Sequence, residues 1–379
     1  MSPSDELKPA VAKRWHLDDE SFALTLAALA FGLAAFVAVF VFWGRELPIG
    51  GRRSLGEFIA ILAAVAAAVA YAVSRLLPRR SAEHHAAATG DARYRWFDLV
   101  ALSVAHGVVA LLGWIGLATV MEYSFRGATV YASPAVVIAA ACCGLTAYVS
   151  FLSGSSISPR QLSIVLMIFL VVGMVTAMLS SSDPQWWEKN LSALGITHDL
   201  SSLAFNLTLI VSGVIVTTIA RVGTATLPHG TATERRRRAW VRSLFVLLGV
   251  LLACVGIFPV SPYLLLHNTV ATGMTVAYAV LVIGLPWLVP SMPRLFIALG
   301  FVYVAGIVAL AVLFAVGIYN LTAVELVAAV MIFSWIILFL RNVPAPAEPG
   351  ASAAPAAPAA PGASADSGAQ AARVVQAGA

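Results

Sequence analysis

Ten apolar runs, each about as long as a bilayer is thick, occupy the chain from Ser21 to Arg341, and charge is sorted between the gaps. With the gaps taken alternately, all but five of the 23 Lys and Arg fall in one set, the exceptions being Arg45, Arg52, Arg53, Arg126 and Lys189. Basic residues retained on the cytoplasmic side of a polytopic protein give this split, which places both termini inside. Composition excludes a soluble fold. With 60% of residues hydrophobic and 11% charged, against about 25% charged in a soluble domain, the apolar surface is too large to bury.

A spanning helix needs about 20 residues at a 1.5 Å rise. The runs lie at 21–43, 55–77, 97–120, 131–153, 161–181, 201–220, 241–260, 268–289, 294–317 and 321–341. Backbone groups in hydrocarbon must be satisfied within their own segment, and no alternating strand pattern competes. The fold class expected is therefore all-α, a polytopic transmembrane bundle of about ten spanning helices, N-in and C-in. Its parts are a cytoplasmic segment at 1–20, a four-helix part at 21–153, a six-helix domain at 160–342 and a tail at 343–379. The Pro/Ala-rich tail has no apolar periodicity and reads as disordered and cytoplasmic. The polar, mixed-charge residues 1–20 and the long first run read against a cleavable signal, so the first run is expected to stay as a spanning helix, in a cytoplasmic (inner) membrane. Small residues over 63–72 and at Ser212–Gly213 predict close helix packing.

The net charge of +5 does not indicate nucleic acid, because the basic residues sit beside spans rather than along one face. Membrane lipid is the expected partner. Cys142, Cys143 and Cys254 lie inside apolar runs and read as small buried residues. His84–His85, in the gap 78–96, reads as solvated, and neither a metal nor a cofactor is expected. In the gap 221–240, Arg235, Arg236, Arg237 and Arg238 precede Trp240 and Arg242. These arginines are candidate anionic-lipid contacts, set against the plainer reading of a topology anchor.

Ionisable residues inside spans are costly and are functional candidates by default. Few occur. His106 is read as bonded to a neighbouring helix, Glu57 and Asp98 as reaching interfacial water, and Glu325 as complementing the dipole of its own helix. The densest polar string runs from Asp183 through Trp186, Trp187, Ser192 and Gly195 to Asp199, Ser201 and Asn206. Asp199 or Ser201 is expected to cap the sixth helix, and Asn206 to need a partner at its depth. Phe258-Pro259 and then His267-Asn268 lie on the same outer side.

The Asn190-Leu-Ser-Ala-Leu-Gly195 turn, Phe205-Asn206 with Leu209, Ile210 and Gly213, and the Phe258-Pro259 then His267-Asn268 pattern resemble a bacterial family. It is the domain of unknown function 998 family, related to the eukaryotic Frag/DRAM/Sfk membrane proteins, and the resemblance spans about 160–342. It implies a six-helix domain with family-like positions at Trp187, Ser192, Leu194, Gly195, Asn206, His267 and Asn268, and no established activity. The candidate outer-face cluster is thus Trp186, Trp187, Ser192, Gly195, Asn206, His267, Asn268 and Glu325. The leading expectation is a non-enzymatic protein that binds or organises lipid, or supports an envelope complex with another membrane protein. A transporter or flippase, with Pro286, Pro290 and Pro293 as bending points, is the alternative. A further one is an outer-leaflet enzyme using His267 as base, or as a metal ligand with His198 and Asp183 or Asp199.

Overall fold

A computed structural model describes residues 19–77, 96–155, 158–225 and 227–342; the N-terminal segment, His84–His85 and the tail lie outside them. Among the described residues ten helices are long and apolar enough to cross a membrane. They are α1 (Asp19–Phe42), α2 (Leu55–Leu76), α3 (Trp96–Ser124), α4 (Ala132–Ser155), α5 (Pro159–Leu179), α6 (Leu200–Ala225), α7 (Ala232–Ile257), α8 (Val260–Leu288), α9 (Arg294–Ala315) and α10 (Leu321–Asn342). The protein is an all-α, multi-pass membrane bundle.

Helix starts follow side-chain caps, since the first N–H groups of a helix lack partners within it. Ser54 accepts the Glu57 amide at α2, and Ser158 accepts the Gln161 amide at α5, where Pro159 needs no donor of its own. The largest departure from the expected boundaries is α7, which begins at Ala232 rather than 241. Thr231 Oγ1 accepts the Glu234 amide at 3.2 Å while Glu234 accepts the Thr231 amide at 2.9 Å. This capping box carries the helix out past the apolar run, so the arginine run is helical and not a loop. α8 also starts early, at Val260, although Ser261 and Tyr263 leave helical dihedrals and regular helix follows them.

Two short strands were not expected. β1 (Glu46–Pro48) and β2 (Thr129–Tyr131) pair antiparallel, with Leu47 opposite Val130. They tie the α1–α2 loop to the α3–α4 loop at the end of the bundle away from most of the arginines, hereafter the far end.

Within the bundle α6 is central and α1 peripheral: 67% of the apolar window of α6 is buried, against 11% for α1. α6 meets α7 at backbone distance. A Cβ on Gly213 would lie 2.7 Å from the Ala253 nitrogen, and one on Gly249 would lie 2.6 Å from the Gly213 carbonyl. Such close approach without side chains is how apolar helices gain packing where no hydrophobic drive separates protein from lipid. One large core joins α5 to α10 with Tyr71 of α2 and Leu102, Ala105 and Leu112 of α3. Thr176 on α5 donates to the Leu112 carbonyl at 3.1 Å, and Arg221 on α6 pairs with Asp98 on α3. Asp98 therefore does not reach interfacial water as expected. Its side chain is 2% exposed and its charge is met by Arg221.

Candidate functional site

After α5 the chain makes a single helical turn, Trp186–Lys189, and then a 3-10 turn, Leu191–Gly195, whose five residues are all buried. Buried irregular backbone is tolerated only where protein satisfies its polar groups. Several candidate residues do that here. Glu325 on α10 accepts the Leu191 amide at 2.5 Å and faces the Ser192 amide as well. Asn206 Nδ2 on α6 donates to the Gly195 carbonyl at 3.2 Å. Ser201 donates to the Ala177 carbonyl at 2.8 Å and leans toward that of Leu194 at 3.4 Å. His267 on α8 meets the Ser192 hydroxyl at 3.1 Å through Nε2 and the Phe258 carbonyl at 2.7 Å through Nδ1.

The chemistry assigns the protons. A carbonyl can only accept, so Nδ1 carries a proton, and in the neutral imidazole Nε2 then accepts the Ser192 O–H. Ser192 and His267 are both buried. The pair fastens the turn to the start of α8, as Glu325 fastens it to α10 and Asn206 to α6. Glu325 complements the turn at Leu191 rather than, as expected, the dipole of its own helix. Of the two caps expected for α6, Asp199 is the one formed, through the Ser202 amide, while Ser201 is spent on carbonyls. Asn206 is only half satisfied, since its Oδ1 is buried without a partner among the described residues.

The remaining far-end candidates divide. Trp186 packs partly buried on the core, while Trp187 is half-exposed and its carbonyl accepts from Asn320 Nδ2 at 3.1 Å. Asn320 also accepts the Ala323 amide and so caps α10, a role the sequence reading missed. Asn268 is exposed, one residue round the helix from His267, and joins none of these bonds. Asp199 accepts from Ser182, Thr197 and the Ser202 amide. Burial works to raise its carboxyl, but these bonds outweigh it and hold the group below the usual carboxylate range. Asp183 is likewise held low, chiefly by Lys189 at 2.7 Å. The metal arrangement weighed for His267 with His198, Asp183 or Asp199 is not formed. Among the described residues no three His, Cys, Asp or Glu converge.

His106 repeats the His267 pattern at another place. Its Nδ1 meets the Leu102 carbonyl of its own helix at 2.8 Å, its Nε2 meets Ser153 of α4 at 2.9 Å, and its ring stacks on Tyr71.

At the opposite, basic end the five arginine candidates separate by face. Arg235 and Arg236 are exposed, whereas Arg237, Arg238 and Arg242 are half-buried. Arg235 donates to the Gly230 carbonyl at 3.0 Å and Arg242 Nε to Thr224 Oγ1 at 3.1 Å. Arg237 and Arg238 line a cavity of about 210 Å³ with Glu234, Leu227, Leu288, Val289 and Pro290. A second cavity, of about 370 Å³, is lined by Trp96, Phe97, Asp98, Thr217, Thr218 and Arg221.

Residues 163–342 match the family described as protein of unknown function (DUF998). The resemblance carried by the 190–195 turn, Phe205-Asn206, Phe258-Pro259 and His267-Asn268 is thereby borne out over α6 to α10 and nearly all of α5. No curated protein and no solved structure matches the chain. The DUF998 region contains both the buried 3-10 turn and the arginine face, and α1 to α4 precede it.

Proposed function

We propose that the protein binds and organises lipid in the bacterial inner membrane, with its basic end in the cytoplasm, and does not convert that lipid chemically. The observation that carries this reading is the cavity at the basic end. Two arginines, Arg237 and Arg238, share its wall with a single carboxylate, Glu234, and with Leu288, Val289 and Pro290, a net positive and otherwise largely apolar lining that suits an anionic headgroup. The sorted arginines support the orientation. The transporter reading has less behind it, since Asp98 is committed to Arg221 and His106 to Leu102 and Ser153. Native mass spectrometry of gently extracted protein tests the proposal. Anionic phospholipid should remain bound in preference to zwitterionic lipid. Release of all lipid under mild conditions, with an unchanged envelope lipid profile on deletion, would remove its basis.

A second reading rests on the Ser192–His267 bond, the form of an activated serine with its base oriented by the Phe258 carbonyl. Against it, Ser192 is buried, the neighbouring amides that could hold an oxyanion face Glu325, and His106 makes the same kind of pair with Ser153. A serine-directed phosphonate probe separates the two readings. Labelling of the wild type that is lost in Ser192→Ala would favour the enzyme.

A further inference from the structure

Arg235, Arg236, Arg237 and Arg238 occupy the first two turns of α7, where the helix dipole favours anions and disfavours cations. They are also arranged against one another, with Arg235 and Arg238 three apart and Arg238 and Arg242 four apart, the spacings at which like charges repel on a helix. The one carboxylate in this stretch, Glu234, accepts the Thr231 amide and sets its charge against Arg237. Arg242 lies within electrostatic reach of Arg238 and of Arg221 across on α6. Asp98 neutralises one charge of that inward trio, and two remain. An arrangement this unfavourable by itself would be relieved by a bound anion.

The surroundings indicate which anion. Trp96 at the start of α3, Trp240 on α7 and Trp287 at the end of α8 are all largely exposed at this end, and exposed tryptophan marks headgroup depth. The guanidinium is built to grip phosphate oxygens by two parallel bonds. Resting on the lipid-binding reading above, we infer that Arg238 and Arg242, with Arg221 behind them, hold the phosphate of an anionic phospholipid of the inner leaflet.

The test uses the full-length protein in detergent with phosphatidylglycerol, phosphatidylcholine or inorganic phosphate, read by native mass spectrometry and thermal shift. Arg238→Gln/Arg242→Gln removes two inward charges, and Arg235→Gln/Arg236→Gln removes two outward ones from the same helix. The inward pair should lower phosphatidylglycerol affinity roughly tenfold to thirtyfold, the outward pair should change it little, and inorganic phosphate should not raise the melting temperature. Arg238→Gln alone, which removes no hydrogen bond among the described residues, keeps the test decisive if the inward pair does not fold. Equal losses from both pairs would mean diffuse attraction and overturn the site. Stabilisation by inorganic phosphate as strong as by lipid would overturn the lipid assignment. Retention of phosphatidylglycerol by the wild type with no sensitivity to either pair would sink this site and leave the lipid-binding function standing, whereas no retention at all would sink both.

Discussion

Glu325 caps a turn to which it does not belong: its carboxylate on α10 takes the amide of Leu191, 134 residues earlier, at 2.5 Å. No side chain caps that 3-10 turn locally, and a buried donor left unpaired costs about 1–3 kcal/mol. Glu325→Leu should therefore destabilise the protein by about that amount and speed hydrogen exchange over Leu191–Gly195. Glu325→Gln, which keeps an acceptor oxygen, should cost less. Equal losses for the two, measured by thermal unfolding, would show that packing and not the bond matters.

Ser192 and His267 should be energetically coupled. Ser192→Ala leaves Nε2 unpaired, and His267→Leu leaves both the Ser192 hydroxyl and the Phe258 carbonyl unpaired, so each single change costs about 1–3 kcal/mol. Once one partner is gone the other loses little more. A double-mutant cycle on unfolding should return a coupling of about 1 kcal/mol; strict additivity would be inconsistent with the bond.

Gly195 has no room for a side chain. A Cβ there would lie 2.6 Å from Asn206 Oδ1 and 3.0 Å from the Phe205 ring, so Gly195→Ala must push Asn206 off the Gly195 carbonyl. The expected loss is about 1–3 kcal/mol, read by thermal melts, and Gly195→Ala/Asn206→Ala should recover part of it by clearing the space.

The ten spans could be read from the chain because bilayer thickness sets a length that composition alone meets. The far-end cluster could be read in part, since Asn206 and His267 are costly at their depth and call for partners. What could not be read was which partners. The Glu325 to Leu191 bond joins opposite ends of the DUF998 region, and nothing local marks it. The Asp98–Arg221 pair spans 123 positions and was hidden for the same reason. The helical state of the arginine run is a different case, because Thr231 and Glu234 form a capping box that was there to be seen. The apolar run simply outweighed it. The two-stranded ribbon fell below the length at which any pattern is visible.

Acid should loosen the α5–α6 connection first. Asp199 gathers Ser182, Thr197 and the Ser202 amide, and its carboxyl is held below its usual value. A group depressed in the folded state contributes stability above its unfolded value of about 3.9, and loses it as pH falls through the lower folded value. Melting temperature should thus hold from neutrality to about pH 4 and drop below that. Asp199→Asn should lower it at neutral pH and flatten the acid limb; an acid limb as steep as the wild type's would assign the effect to other carboxylates.

The Asp98–Arg221 pair should respond unequally to the loss of its two members. Asp98 is 2% exposed and Arg221 31%, so the arginine can turn toward water when abandoned and the aspartate cannot. Arg221→Gln strands a buried carboxylate, for which about 3–5 kcal/mol is the usual cost. Asp98→Asn leaves a cation that the adjoining cavity and the membrane surface can hydrate, and should cost markedly less. Because the pair bridges α3 and α6, the larger loss should come with faster proteolysis between α1–α4 and the DUF998 region. Equal destabilisation by the two variants would mean that Arg221 is as confined as Asp98, and would count against its standing open to an anion at the basic end.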